Sequence, residues 1–342
     1  MSIRRLLAAT TLAACVSTGA YAQQKTLKVG DAAPPLSVAE WVQGDVAGLQ
    51  SGKVNLVEFW ATWCGPCRKS IPKLDELHDD LAGKGLVVIG VSDEKPEVVK
   101  PFVRSRGGGM SYPVAIDQNK QTNQAWMKAA GRNGIPAAFL VSRDGKIAWI
   151  GHPADPAMLE IIPKLLAGKY DPVLEKQAAP LLDAANKAAS RRNYRQAYTH
   201  LDKVIEMDPK VFSSVVLQRY ELMLTGEKDT EAATAYLSTK IEEYGPDAGS
   251  LTEFATALVN DPDLRPRNLE LAAAAAEAVN AAAPNQPDSL AVLAMVQFAQ
   301  GDATAAIENQ QRAWMMADPS VKAEFKKALD QYRTTARRSS SR

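Results

Sequence analysis

The sequence predicts two domains, an α/β domain followed by an all-α domain, and two changes of pattern support this division. From Leu27 to about Lys169, short apolar runs alternate with amphipathic stretches, as strands alternate with helices. After Tyr170-Asp171-Pro172 the strand-like runs stop, alanine becomes frequent, and apolar residues recur at helical spacing. The 342 residues are enough for a sizeable core in each domain.

Four apolar runs predict strands of the first domain. The runs at Val54–Trp60, Leu86–Ser92 and Ala137–Ser142 are almost continuously apolar, as expected of strands buried on both faces. The run at Lys146–His152 follows the turn Arg143-Asp144-Gly145 and predicts a hairpin. Between and after these runs, helical patterns predict helices over residues 64–82, 96–106, 121–130 and 157–167.

The second domain, predicted over residues 175–335, contains a weak internal repeat. Its small residues Ala197, Ala232, Ala272 and Ala306 recur at separations of 35, 40 and 34 residues. The pattern resembles degenerate tetratricopeptide repeats, which are helix pairs of about 34 residues, and a generic alanine-rich bundle is the alternative. Repeats of this kind imply a protein partner on their surface. Residues 336–342 are predicted to be a disordered tail.

The N-terminus has the pattern of a secretory signal peptide, predicted over residues 1–22. A basic start at Met1–Arg5 precedes an uncharged stretch that ends in Ala20-Tyr21-Ala22, a small-x-small cleavage site. We therefore expect a periplasmic or secreted protein. An alternative stays open at Leu12-Ala13-Ala14-Cys15, which resembles a bacterial lipobox, so the protein could be a lipoprotein anchored through Cys15.

Overall charge excludes one class of partner. Hydrophobic residues make up 46% of the chain, charged residues make up 23%, and the formal net charge is +1. A chain so close to neutrality has no general attraction to nucleic acid or to anionic membranes. We therefore expect no nucleic-acid partner.

Two of the three cysteines, Cys64 and Cys67, flank a Gly-Pro pair. A helix that starts near Cys64 would place this thiol among unpaired N–H groups and at the positive end of the helix dipole, which stabilise a thiolate. Cys67 lies nearly one turn later, turned inward and close enough to form a disulfide. Cys64 is thus the candidate attacking thiol and Cys67 the candidate resolving thiol. Pro66 suits the first helical turn because no helix hydrogen bond is lost there.

A redox pair is favoured over a metal site and over a structural disulfide. The sequence contains no second pair of cysteines and its three histidines are scattered, so we expect no metal. A disulfide that closes so short a loop removes little chain entropy, which makes a purely structural role a poor explanation. We expect no cofactor beyond the redox-active pair Cys64–Cys67.

The stretch VEFWATWCGPC, residues 57–67, resembles the active-site strand and turn of the thioredoxin superfamily, and it is most similar to the secreted TlpA-like thiol-disulfide reductases. Pro72 matches the proline that kinks the helix after the active site. The resemblance covers about Lys28–Lys169. It implies a thioredoxin-like fold over residues 27–170, with a central mixed sheet and flanking helices. The stretch Pro96–Ala130 looks like the extra element that TlpA-like and peroxiredoxin-like domains carry.

The resemblance also implies roles for single residues. Gly134-Ile135-Pro136 matches the cis-proline loop, so the bond before Pro136 should be cis and its backbone should pair with a client chain. Glu58 occupies the place of a buried acid near the inner cysteine. There its pKa would be raised and it would shuttle a proton to or from Cys67, unless the strand end is exposed or Glu58 is paired with a cation. The candidate substrate-binding residues are Trp63, Gly65, Pro66 and Ile135.

The resemblance implies a disulfide reductase that acts on disulfide-containing client proteins and is re-reduced by a membrane electron donor. Gly-Pro between the cysteines is the thioredoxin-like combination, and thioredoxin itself has a potential of about −270 mV. The alternatives are a thiol oxidase or isomerase, a mainly protein-binding repeat module, and a peroxiredoxin-like peroxidase. A peroxidatic site needs Pro-x-x-x-Thr-x-x-Cys, but counting back from Cys64 finds Ala61 and Val57 at the Thr and Pro positions.

Overall fold

The structure is a computed structural model that describes residues 26–44, 46–319 and 321–340. The predicted signal peptide and Cys15 lie outside the described residues. No helix in the described part of the chain is long and apolar enough to cross a membrane.

The first domain is built on a mixed sheet, as the resemblance implies, and this sheet has six strands. Its strands are β1 (Val38–Gln43), β2 (Val54–Phe59), β3 (Leu86–Ser92), β4 (Val114–Asp117), β5 (Ala137–Val141) and β6 (Ile147–Gly151). In the sheet they are ordered β1-β4-β3-β2-β5-β6. The central strands β2, β3 and β4 are parallel, whereas β1, β5 and β6 pair antiparallel with their neighbours.

Two strands, β1 and β4, were not predicted from the sequence. Strand β1 lies at the sheet edge, is only partly buried, and pairs with β4 through two register shifts, so its alternation of apolar and polar residues is weak. Strand β4 has four residues, and a run this short cannot be distinguished from a loop by periodicity.

Helices cover both faces of the sheet. They are α1 (Gly65–Leu81), α2 (Pro96–Arg106), α3 (Gln121–Asn123), which continues as a π-helical segment (Gln124–Lys128), and α4 (Pro156–Ala167). Alternate residues of β2 face opposite sides of the sheet, as strand geometry requires. Leu56 and Trp60 pack with α1, α2 and α4, whereas Val57 and Phe59 pack with Trp126 of the π-helical segment.

The second domain is all-helical with its own apolar core. Its helices are α5 (Pro172–Ser190), α6 (Tyr194–Met207), α7 (Ser213–Glu221), α8 (Thr230–Glu243), α9 (Ala248–Asn260), α10 (Leu269–Ala282), α11 (Pro287–Gln300), α12 (Ala303–Met316) and α13 (Lys322–Ser340). Helix α7 continues as a π-helical segment, Leu222–Glu227. Successive helices such as α5 with α6, α9 with α10 and α11 with α12 pack against each other.

The C-terminus differs from expectation. Helix α13 runs to Ser340, so residues 336–340, predicted to be part of a disordered tail, are helical. Alanine and arginine are good helix formers, and an established helix extends at little cost through such residues.

Candidate active site: a cysteine pair at the start of helix α1

Cys64 and Cys67 form a disulfide, with their Cα atoms 5.3 Å apart. Cys64 is the N-cap of α1, and its backbone is extended as an N-cap requires. The backbone N–H of Cys67 donates to Cys64 Sγ at 3.2 Å. Pro66 lies in the first turn, as predicted, where no helix hydrogen bond is lost. In the reduced protein the same N–H and the helix dipole would stabilise a Cys64 thiolate.

The two sulfurs differ in accessibility. Cys64 is 3% exposed and Cys67 is fully buried, so only Cys64 has surface that solvent reaches. The residues beside Cys64 are open to solvent: the Trp63 side chain is 70% exposed and Pro66 is also exposed, while Gly65 is half-buried. This asymmetry agrees with an attacking Cys64 and a resolving Cys67.

The loop before β5 lies directly against the disulfide. The Ile135–Pro136 peptide bond is cis, as the resemblance implies. The carbonyl oxygen of Ile135 lies 3.9 Å from Cys64 Sγ, a van der Waals contact because the disulfide sulfur has no proton to donate. Pro136 is buried and Ile135 is half-buried, whereas residues 131–134 are exposed. Backbone from this loop is therefore available beside Cys64 Sγ.

Glu58 is a fully buried acid on the sheet face that α1 covers. It shares that face with Leu56 and Trp60, in the apolar cluster that includes both cysteines. The hydroxyl of Tyr112 donates to Glu58 Oε1 at 2.7 Å, and Oε2 has no partner among the described residues. Burial raises the pKa of Glu58 from 4.5 to about 7, and the Tyr112 hydrogen bond opposes part of that rise. Glu58 is therefore not exposed, and its hydrogen-bond partner is a hydroxyl and not a cation, so neither alternative left open by the sequence applies.

The raised pKa predicts how stability depends on pH. Between pH 4.5 and about 7 the folded chain keeps a proton on Glu58 that the unfolded chain has lost. The free energy of unfolding therefore falls as pH rises through this window. The contribution is fully present below the unfolded pKa and is lost above the folded pKa, in total about 3 kcal/mol.

Urea unfolding of the disulfide-bonded protein and of Glu58→Gln at a series of pH values measures this contribution. Five of the six tryptophans precede residue 170, so their fluorescence follows the α/β domain. We expect the free energy of unfolding of Glu58→Gln to increase relative to that of the wild type as pH rises from 4.5 to about 7. A difference in free energy of unfolding that stays constant across this window would contradict the raised pKa.

Sequence reasoning missed two side chains at this site, Tyr112 and Glu94. The Glu94 carboxylate accepts from the Thr62 backbone N–H at 2.6 Å and from the Thr62 hydroxyl at 2.8 Å. It thereby holds the turn that carries Cys64. Both contacts are non-local, and no spacing rule links Glu94 to Thr62 or Tyr112 to Glu58. Within the described residues no group of three or more His, Cys, Asp or Glu side chains could hold a metal ion.

A disulfide at the N-terminus of a helix, facing a cis-proline loop on a mixed sheet, defines a site for thiol-disulfide exchange. Cys64, Cys67 and the buried acid Glu58 all lie on one side of the sheet, close to the start of α1. This arrangement transfers two electrons between a dithiol and a disulfide.

Comparison with known proteins agrees with that class. Residues 29–150 match the AhpC/TSA family. Protein FixW of Rhizobium leguminosarum is 29% identical over 155 residues, 42% of this chain and 69% of FixW. Thiol-disulfide oxidoreductase ResA of Bacillus anthracis is 33% identical over 132 residues, 38% of this chain and 72% of ResA. A solved structure, a putative thiol:disulfide interchange protein DsbE from Chlorobium tepidum, is 28% identical and covers 42% of this chain and 97% of its own, with a TM-score of 0.34.

The chain belongs to the thioredoxin-like thiol-disulfide oxidoreductases, with a redoxin domain of the AhpC/TSA type. Its α/β domain carries the enzyme site, and the family match ends at residue 150, before the helical domain begins.

Proposed function

We propose that this protein is a periplasmic reductase of disulfide bonds in client proteins. The observation that carries the proposal is the position of Cys64. Cys64 caps α1, accepts a hydrogen bond from the Cys67 N–H, and faces the cis-proline loop, while Cys67 is fully buried. A thiol in this position is activated as a nucleophile and has a client-binding backbone beside it.

In the proposed reaction the Cys64 thiolate attacks one sulfur of a client disulfide. A bond forms between Cys64 and the client, and the other client sulfur leaves as a thiolate that takes up a proton. The Glu58 carboxylate then accepts the proton of Cys67. The Cys67 thiolate attacks Cys64 Sγ, the bond to the client breaks, and the second client sulfur leaves as a thiolate that is protonated in turn. The client has gained two electrons and the protein is left as the Cys64–Cys67 disulfide.

Each turnover leaves an oxidised protein, so a reductant must supply two electrons to restart the cycle. We assign this role to a membrane electron donor that presents a dithiol, since dithiols reduce such pairs by the same exchange. Contacts to client backbone are assigned to Pro136 and Ile135, and contacts at the rim to Trp63, Gly65 and Pro66.

The direction of electron flow is tested by equilibrating the pair with glutathione and measuring its potential. A reductase of this kind should have a potential near that of thioredoxin, about −270 mV. A value near about −120 mV, typical of strong oxidants, would instead indicate a thiol oxidase.

Clients are identified with Cys67→Ser, which lacks the resolving thiol. Its Cys64 should hold clients as mixed disulfides that mass spectrometry can name, and Cys64→Ser is the matched control because it keeps Cys67 but cannot attack. Equal client recovery from the two variants would count against the proposed roles of the two thiols.

The helical domain is proposed to bind a protein partner through tetratricopeptide-like repeats. Three of the recurring alanines, Ala197, Ala272 and Ala306, are fully buried at the fourth residue of α6, α10 and α12, and Ala232 is partly buried in α8. Small residues at repeated positions allow paired helices to pack closely. A full-length Cys64→Ser/Cys67→Ser protein should still bind this partner. If removing the two thiols abolished all partner binding, the result would argue against a separate binding surface on the helical domain.

The periplasmic location is supported by the signal-like residues 1–22, and the lipobox-like Cys15 leaves a membrane-anchored lipoprotein as an alternative. Fractionation and N-terminal sequencing of the expressed full chain distinguish cleavage after Ala22 from lipidation at Cys15.

The match to the AhpC/TSA family favours a peroxidase as the second candidate function. The position of the peroxide-binding threonine, counted back from Cys64, holds the buried Ala61, which has no hydroxyl to donate. Hydrogen peroxide consumption at a rate comparable to disulfide reduction would favour this candidate.

A further inference from the structure

Glu58 is held by a residue from a distant part of the chain. Tyr112 lies two residues before strand β4 and is separated from Glu58 by 54 positions, yet its hydroxyl donates to Glu58 Oε1 at 2.7 Å. Both side chains are fully buried, and Tyr112 belongs to the apolar cluster that also contains both cysteines. The hydrogen bond is therefore shielded from water and competes with no solvent partner.

A glycine makes room for this contact. Gly90 lies opposite Glu58 in the β2–β3 pairing. A Cβ atom built on Gly90 would lie 2.9 Å from Trp60 Nε1 and 3.2 Å from Tyr112 Cε2. The tyrosine and tryptophan rings thus occupy the space that a side chain at position 90 would need, next to the acid.

The backbone on either side of the tyrosine ring is anchored from two elements. The Gln43 side chain of β1 donates to the carbonyl oxygens of Met110 and Tyr112, at 2.6 and 2.9 Å. The carboxylate of Asp75, on the helix that begins after Cys64, accepts from the Ser111 hydroxyl at 2.8 Å and from its backbone N–H. Tyr112 consequently has little freedom to move away from Glu58.

We propose that Tyr112 is a positioning residue that fixes the Glu58 carboxyl in one orientation. In this orientation Oε2 of Glu58 is the atom that takes the proton of Cys67 and returns it. The inference rests on the proposed proton-carrying role of Glu58. Oε1 is occupied by the Tyr112 hydroxyl, and Oε2 has no partner among the described residues.

The donated hydrogen bond has a defined electrostatic effect. A hydroxyl that donates to a carboxylate stabilises the charged form, so it lowers the pKa of Glu58 against the rise caused by burial. Other titratable or charged groups near the Tyr112 ring are Asp75 and His78 from α1 and Arg106 from the end of α2. In the oxidised protein Cys64 and Cys67 are disulfide-bonded and do not titrate.

The test follows the carboxyl of Glu58 by infrared spectroscopy of the oxidised full chain across pH, with Glu58→Gln to assign its C=O band. The wild-type band should disappear with a midpoint near pH 7. In Tyr112→Phe, which removes only the hydroxyl, the midpoint should rise by about one pH unit, because a hydrogen bond to a charged group is lost.

Gly90→Ala is a second variant that acts on the same contact from the opposite side. Its added methyl group would displace the Tyr112 ring or the Trp60 ring, and we expect the midpoint to rise here too. Tyr220→Phe is the matched control, since Tyr220 is a buried tyrosine of the helical domain and should leave the midpoint unchanged.

Kinetics supply a readout that a merely structural role would not move. Tyr112→Phe should resolve mixed disulfides about fivefold more slowly at pH 7, as expected if the carboxylate fraction falls with a one-unit shift, and should approach the wild-type rate at pH 9. An unchanged infrared midpoint in Tyr112→Phe overturns the inference alone. A wild-type spectrum with no carboxyl band titrating between pH 5 and 9 overturns the proton-carrying role of Glu58 and the inference with it.

Discussion

Replacing Cys64 with serine is expected to abolish disulfide reduction, with kcat/KM for a protein disulfide lowered on the order of a thousandfold or more. The serine hydroxyl does not ionise near neutral pH, so the Cys67 N–H that stabilises the sulfur and the dipole of α1 have no anion to act on. Cys67 cannot substitute for it because Cys67, in the first turn of α1, is fully buried. Insulin reduction, followed by precipitation of the released chains, measures the loss.

Cys67→Ser is the matched control for this prediction. It keeps the accessible Cys64, so a single turnover with a client disulfide should still form the mixed disulfide at close to the wild-type rate. Release of the client should then stop. If Cys67→Ser failed to form the mixed disulfide while Cys64→Ser formed it, the assignment of attacking and resolving thiols would have to be reversed.

Glu58→Gln is expected to slow the release of the mixed disulfide by about a hundredfold at pH 7, which is within the usual range for loss of a general base. The buried amide keeps the shape of the carboxyl but cannot accept the Cys67 proton. Because burial raises the pKa of Glu58 to about 7, the wild-type release rate should increase with pH through this value as the carboxylate forms. In Glu58→Gln that inflection should be missing.

Stopped-flow single turnovers over a series of pH values separate release from attack, and the exposed Trp63 beside Cys64 provides a fluorescence signal. Glu97→Gln is the control, since Glu97 is an exposed acid in the first turn of α2. An unchanged rate and pH profile in Glu58→Gln would remove Glu58 from the mechanism.

Much of the α/β domain could be predicted from local pattern. The buried runs at Val54–Trp60, Leu86–Ser92 and Ala137–Ser142 and the hairpin strand that follows them form β2, β3, β5 and β6 almost within the predicted limits. A strand buried on both faces needs an uninterrupted apolar run, which stands out in a sequence. The edge strand β1 and the short β4 lack such a run, so they were missed.

The cysteine pair could also be predicted, because its chemistry is encoded in four consecutive residues. A helix that begins at Gly65 needs an N-cap at Cys64, and the i to i+3 spacing alone brings Cys67 to the same turn. The cis bond before Pro136 was inferred by resemblance, and the structure confirms it. The inward orientation of Cys67 and the N-cap position of Cys64 thus followed from their place at a strand–helix junction.

Sequence by itself determined that this chain carries a dithiol/disulfide pair, that Cys67 is the inward-facing cysteine of the pair, and that an acid, Glu58, lies on the adjoining strand. Only the tertiary structure decided the environment of that acid, because burial, the hydroxyl of Tyr112 and the space above Gly90 come from segments separated by tens of residues. The same is true of the turn held by Glu94. Local propensity fixes which groups a segment offers, whereas the pKa of a buried group depends on the neighbours that long-range packing brings within a few ångströms.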